Sequence, residues 1–295
     1  MSSVRWPAPP EATPDGSGSP RSGPPRTRTR TRTPRTRGAT RARLPLLVPA
    51  WLGVAFIVLP LVALFIRADW ANITTHLAAP VVGQALRLSA ITTSITMVVV
   101  WAVGTPLAWL LARSDHPLTA WGRALITVPL VLPPVVGGVA LLMTWGRRGV
   151  LGGWLDETFG ITLPFTTAAV VMAEIFVALP FYVIAVEGSM RSLDRRYDEI
   201  AATLGAGPVR TFSTVALPMV LPGIAAGSAL AWARALGEFG ATITFAGNFP
   251  GRTQTAPLGV YSALESDPQA AIALSLVMLV VSVLVLGLLR SRWLR

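Results

Sequence analysis

The chain has 295 residues, 52% hydrophobic and only 13% charged; a soluble domain carries about 25% charged residues, so an ordinary soluble protein is excluded in favour of a polytopic membrane protein. It has no cysteine and only two histidines, His76 and His116, which excludes disulfides, thiolate metal sites and cysteine nucleophiles and argues against a histidine-based centre. All 25 basic residues are arginine, and the net charge of +11 is concentrated: ten arginines lie in residues 1–43 against only Glu11 and Asp15, leaving that segment at +8.

Residues 1–43 are rich in Pro, Gly, Ser, Thr and Arg and include "RTRTRTRTPRTR". Nothing there can bury a core, so the segment is expected to be a disordered cytoplasmic arm. Its charge reinforces topology, and no nucleic-acid partner is expected. The arginine-rich stretch is too long for a cleavable signal, and the apolar run behind it is long enough to span.

From residue 44 onward the sequence breaks into six apolar stretches, at about 46–66, 84–112, 124–145, 166–188, 220–247 and 269–289. Each approaches the roughly 20 residues that a transmembrane helix needs. The prolines and glycines inside them, Pro133, Pro134 and Gly137 among them, are expected to be tolerated within continuous helices. Arginine placement sets the orientation. One set of flanks holds Arg113, Arg123, Arg191, Arg195, Arg196, Arg210, Arg290, Arg292 and Arg295, and the opposite set only Arg67, Arg147, Arg148 and Arg252. By the positive-inside argument both termini are cytoplasmic. The expected fold is all-α, with six transmembrane helices in residues 44–295.

Three carboxylates fall inside apolar stretches: Glu174, Glu187 and Glu238. An ionisable side chain at a helix centre costs roughly 2.5–3.5 kcal/mol on insertion scales. Glu187 lies near a span end, where water or loop arginines reach it. Glu174 is deeper, and is expected to be protonated, or paired with Arg87 or with another helix. Glu238 lies one helical turn from Arg234 in "RALGEFGATITFAGN", so the two share a face and neutralise each other.

The loop between the fourth and fifth stretches, "RSLDRRYDEIAATLGAGPVRTFSTVALP" (191–218), is the most informative segment. Its acids suit a helix start, Gly205 suits a helix end and Pro208 opens a second short helix. Ile200, Ala201 and Leu204 offer an apolar surface to a partner groove. Glu199, Ala201 and Gly205, then nine residues, then Val215 and Leu217–Pro218, resemble the EAA loop of ATP-binding-cassette importer permeases. Ile200 stands where that pattern has its first alanine, and Val215 where isoleucine is common.

The resemblance implies a loop that couples to a separate cytoplasmic ATPase, with Glu199 capping or anchoring the coupling helix and Gly205 making the turn after it. A permease core at about 84–289 goes with it. Without lysine the chain has no Walker-type loop. No enzyme activity or cofactor is expected of the chain itself; ATP and Mg belong to the partner. "PLVLPPVVGGVALL" (129–142) resembles the oxyanion-importer permeases within that class, and "RALGEFGATITFAGNFPGRTQTAPLGVY" (234–261) is similar to the molybdate permeases among them. This implies a homodimer in lipid, two ATPase subunits and an extracytoplasmic oxyanion-binding protein. The candidate path or gate residues are Arg234, Glu238, Thr242 and Asn248. A sulfate or thiosulfate permease is the alternative within the class. A secondary transporter would not need the 191–218 loop, and an intramembrane enzyme would need a paired nucleophile and base that the spans lack.

Overall fold

The computed structural model describes residues 44–114 and 116–293; the arginine-rich arm lies outside them. The chain divides into two units, 1–55 and 56–295. The first contributes, among the described residues, only the opening half of the first helix. The second holds every site discussed below.

The described residues are helical and contain no strand. In order they form α1 (Leu44–Arg67), α2 (Ile73–Leu77), α3 (Pro80–Arg113), α4 (Pro117–Val131), α5 (Pro134–Trp145), α6 (Gly152–Phe159) and α7 (Thr167–Arg191). Then come α8 (Arg196–Thr203), α9 (Pro208–Thr211), a π-helical turn (Phe212–Ala216), α10 (Leu217–Met219), α11 (Leu221–Leu236), α12 (Gly240–Phe245), α13 (Ala256–Ser266) and α14 (Pro268–Trp293).

Among the described residues four helices, α1, α3, α7 and α14, are long and apolar enough to cross a membrane. The count reaches six if each of two bent pairs is one span, α4 with α5 and α9–α10 with α11. The third apolar stretch is therefore not the continuous helix that its hydropathy suggests. It turns by 116° between α4 and α5. Leu132 and Pro133 both take extended ψ values, 133° and 132°, because the residue before a proline is pushed out of the helical region. The fifth stretch is also interrupted. Helix stops at Leu236 and resumes at Gly240.

α3 and α7 form the axis of the second unit. At 1.5 Å per residue, the 34 residues of α3 extend about 51 Å, well beyond a hydrocarbon core about 30 Å thick. Toward their C-terminal ends the two helices pack with α11 around Met97, Val100, Tyr182, Val186, Met190 and Ala231. Toward the other end, Val170, Ala173 and Val177 of α7 pack against Leu141 of α5 and Phe245 of α12. α13 and α14 close the far side of α3 through Val82, Ala85, Ala256, Ala271 and Leu274. Close approach of α5 and α12 depends on Gly138. A Cβ there would overlap the Thr244 hydroxyl and lie 2.7 Å from the Ala241 carbonyl oxygen.

Candidate functional site

The 191–218 loop folds as a helix, a turn and a second helical segment, as its sequence suggests. Gly205 ends α8 with φ +82°. Its N–H donates to Ala202 O at 3.0 Å, and the Ala206 N–H donates to Ala201 O at 2.9 Å. A Cβ at Gly205 would meet no atom within 4 Å, so glycine is needed there for the left-handed backbone and not for space. Glu199 does not cap the helix. A capping side chain sits just before the first turn, a place held by Arg195. Glu199 is one turn further in, exposed, with its N–H on Arg195 O.

Ala201 is buried, whereas Ile200 and Leu204 stand out from α8. A cleft of about 400 Å³ between α8 and the segment after it is lined by Tyr197, Ile200, Leu204, Arg210 and Val215. Pro208 opens α9, and the π-helical turn then leads into Leu217 and Pro218 of α10.

Ionic contacts gather at the α8 end of α3 and α7. Glu187 accepts from Arg123 Nε at 2.8 Å and Arg191 Nε at 2.9 Å, and both guanidiniums also donate to Leu111 O. This meets the expectation that loop arginines reach Glu187. Arg113, the last residue of α3, pairs with Asp198 of α8 at 2.9 Å.

The mid-bundle carboxylates are held differently. Glu174 is 1% exposed and accepts from Thr92 Oγ1 at 2.7 Å and Thr96 Oγ1 at 2.8 Å. Its partners are therefore hydroxyls of another helix and not Arg87. Thr92 and Thr96 are one turn apart and face α7. That spacing is the signal by which they could have been found, but only once α3 and α7 are known to be neighbours.

Arg234 and Glu238 do form the expected ion pair, Nη1 to Oε2 at 2.5 Å. They do not share one helical face, because Glu238 lies in the break after α11. Its second oxygen accepts the Ala241 N–H at 2.7 Å, at the start of α12. One carboxylate thus ties the end of α11 to the beginning of α12.

Thr242 is fully buried, and its hydroxyl makes no hydrogen bond among the described residues. Asn248 donates to Ser262 Oγ at 2.7 Å, in the loop that follows α12. No hydrogen bond among the described residues joins Thr242 or Asn248 to the Arg234–Glu238 pair. The four candidate path residues therefore line up along one segment without forming a single cluster.

At the opposite end of α7 from α8, a cavity of about 400 Å³ is lined by Arg147, Thr162, Phe165, Thr166 and Arg252. Arg147 pairs with Asp156 at 3.4 Å, and the Arg252 carbonyl accepts from Thr167 Oγ1 at the start of α7.

Residues 104–293 match the family model described as "Binding-protein-dependent transport system inner membrane component". The chain is 49% identical over 238 residues to the molybdenum transport system permease protein ModB of Mycobacterium tuberculosis (strain ATCC 25618 / H37Rv), covering 81% of this chain and 90% of that one. It is 40% identical over 211 residues to the protein of the same name from Escherichia coli (strain K12), covering 72% and 92%. Among solved structures, a bacterial alginate ABC transporter in complex with an alginate pentasaccharide-bound periplasmic protein aligns with TM-score 0.66 at 13% identity, over 84% of this chain and 91% of that one. The fold is that of ABC importer permeases, and the chain is a multi-pass membrane protein. It belongs to the binding-protein-dependent transport system inner membrane component family.

Proposed function

We propose that the chain is the membrane subunit of an ATP-driven molybdate importer, with tungstate as an equivalent cargo. The observation that carries this reading is the 49% identity to a relative named as a molybdenum transport permease, over nine-tenths of that relative's length. In this reading two copies form the path in the cell membrane. Two ATPase subunits, which bind ATP and Mg, engage α8, and an extracytoplasmic binding protein delivers the oxyanion at the other end. Both termini lie on the ATPase side, as the arginine distribution favours.

The geometry supports the reading in two ways. First, a dianion is repelled by bare carboxylates, and none of the three inside the apolar stretches is bare. Glu174 is engaged by hydroxyls, Glu187 by two arginines, and Glu238 by an arginine and a backbone N–H. Secondly, Arg252, beside an Arg147 that is paired with Asp156, places positive charge at a cavity at the end away from α8, where it raises the local concentration of anions. Arg234, Glu238, Thr242 and Asn248 follow the broken segment α11–α12 and the loop after it, and act as path or gate. Glu199, Ala201, Gly205, Leu217 and Pro218 shape the surface that meets the ATPase.

The test is reconstitution of the chain with its ATPase and binding protein in liposomes, measuring ATP hydrolysis stimulated by each oxyanion. Molybdate and tungstate should stimulate; stimulation by sulfate alone overturns the reading. A Gly205→Pro variant should remain in the membrane and lose uptake.

A further inference from the structure

We infer that the Arg113–Asp198 ion pair is the strut through which α8 moves α3, making both residues positioning residues for transport. The inference rests on the reading of α8 as the element that engages the ATPase.

α8 has only eight residues, and apart from Ala201 its side chains are exposed or half-buried. Its covalent links run to α7 on one side and through α9 and the π-helical turn to α11 on the other. Neither link leads to α3. Yet α3 grips this loop at two places with its last two turns. Arg113 is 12% exposed, and its Nε lies 2.9 Å from Asp198 Oδ2, an ion pair by distance and charge in which the Nε–H is not aligned for a hydrogen bond. Its Nη1 donates to Leu193 O, ahead of α8, at 3.4 Å. One guanidinium therefore holds the loop both before and within α8. One turn back along the same face of α3, Trp109 meets Phe212 edge-on, with ring centroids 5.5 Å apart. Phe212 lies beyond Gly205, so the two grips flank the turn.

A force applied to α8 has a direct route into α3 through these contacts. The route is ionic at its most exposed point, because Asp198 is 32% exposed and an apolar contact there would be wetted. From Arg113, α3 runs back about 31 Å to Thr92 at 1.5 Å per residue, where it holds Glu174 of α7. A displacement of α8 is thereby delivered to the middle of the bundle along a helix to which α8 is not covalently joined. The Glu187 cluster differs in kind. Its hydrogen bonds bind α4 and α7 to the Leu111 carbonyl of α3.

The experiment uses the full complex in liposomes and reads molybdate imported per ATP hydrolysed. Wild-type complex that imports no molybdate overturns the functional reading, whereas the present inference is judged on variants of an active complex. Asp198→Asn and Arg113→Gln should keep the ATPase subunit bound and hydrolysing, and should lower the transport ratio at least tenfold. The exchange Arg113→Asp with Asp198→Arg should bring back at least half of it. Asp69→Asn, which removes a part-exposed pairing with His76 of α2, away from this loop, should leave the ratio unchanged. A wild-type ratio in Asp198→Asn, loss of the ATPase subunit from that variant, an exchange that restores nothing, or an equal fall in Asp69→Asn each overturns the strut. Should Arg113→Gln fail to fold, Asp198→Asn, which preserves side-chain volume at a half-exposed site, decides the matter alone.

Discussion

Helix α7 buries two carboxylates about 20 Å apart along its axis and surrounds them in opposite ways. Glu187, near the α8 end, sits between two arginines; Glu174, near the middle, is held only by two threonine hydroxyls. The difference follows from where a cation can be kept. At a span end, an arginine stem lies along the apolar surface while its guanidinium stays near water and headgroups. Both arginines around Glu187 retain exposure, 35% for Arg123 and 49% for Arg191. In the middle of the bundle a guanidinium would need its own desolvation offset, whereas a threonine hydroxyl adds a donor and no charge. Glu238 is intermediate, with one arginine and one backbone N–H at a helix break.

The comparison is broken most severely at Glu187. Glu187→Ala leaves two guanidiniums facing one carbonyl. The expected loss is about 3 kcal/mol, the low end for breaking a buried pair, because both arginines keep a face toward solvent. Thermal unfolding of the detergent-solubilised protein measures it. Glu187→Gln should be nearly as damaging, since it removes the charge that both arginines need.

Glu238→Ala comes next. It removes the ion pair and the acceptor for Ala241, and should cost about 2 kcal/mol. Glu238→Gln keeps an acceptor for the Ala241 N–H and should recover part of that loss. Equal destabilisation by Ala and Gln would mean that the ion pair alone holds the break.

At Glu174 the ranking should invert. Glu174→Gln retains polar partners for Thr92 and Thr96, because a hydroxyl can either donate to or accept from the carboxamide. It should shift stability by less than about 1 kcal/mol, and Glu174→Leu, which leaves the hydroxyls only their longer contacts to Ser89 O (3.3 Å) and Val171 O (3.4 Å), by about 2 kcal/mol. Glutamine tolerated at 174 and rejected at 187 would establish that α7 carries one carboxylate for hydrogen bonding and one for charge. Similar losses at both sites would erase the distinction.

The same contrast explains what is legible in the sequence. The apolar stretches, the α8 helix and the turn at Gly205 follow from local rules of hydropathy, capping and left-handed backbone, and the structure has them. Glu187 is also legible, because arginines flank its span. Glu174 is not. Its partners lie on α3, in a segment far away in sequence, and only packing brings Thr92 and Thr96 to it. The bend at Leu132–Pro133 is a local effect hidden by a strong signal. Unbroken hydropathy from 124 to 145 masks the extended backbone that consecutive prolines impose. At Arg234–Glu238 the spacing identifies the pair correctly from a wrong premise. Arginine is long enough to reach Glu238 across the end of α11, so the contact forms although the helix has stopped. The role of Asp198 is invisible for a similar reason, since acids at a helix start already have a local explanation in the helix dipole.

Thr242 carries the smallest expected effect on stability, and an effect on function that is separable from it. Its hydroxyl is buried with no partner among the described residues, in the short helix that Glu238 anchors. An unsatisfied buried hydroxyl is unfavourable, and replacing it with a methyl of the same shape removes that penalty. Thr242→Val should therefore leave thermal stability unchanged or raise it by up to about 1 kcal/mol. If α12 moves with the Glu238 break during transport, this hydroxyl becomes a donor for a passing oxyanion, and Thr242→Val should slow molybdate uptake severalfold at unchanged stability. Uptake at the wild-type rate in a protein of equal or greater stability would assign Thr242 to packing between α12 and α7, and confine the path to residues on either side of it.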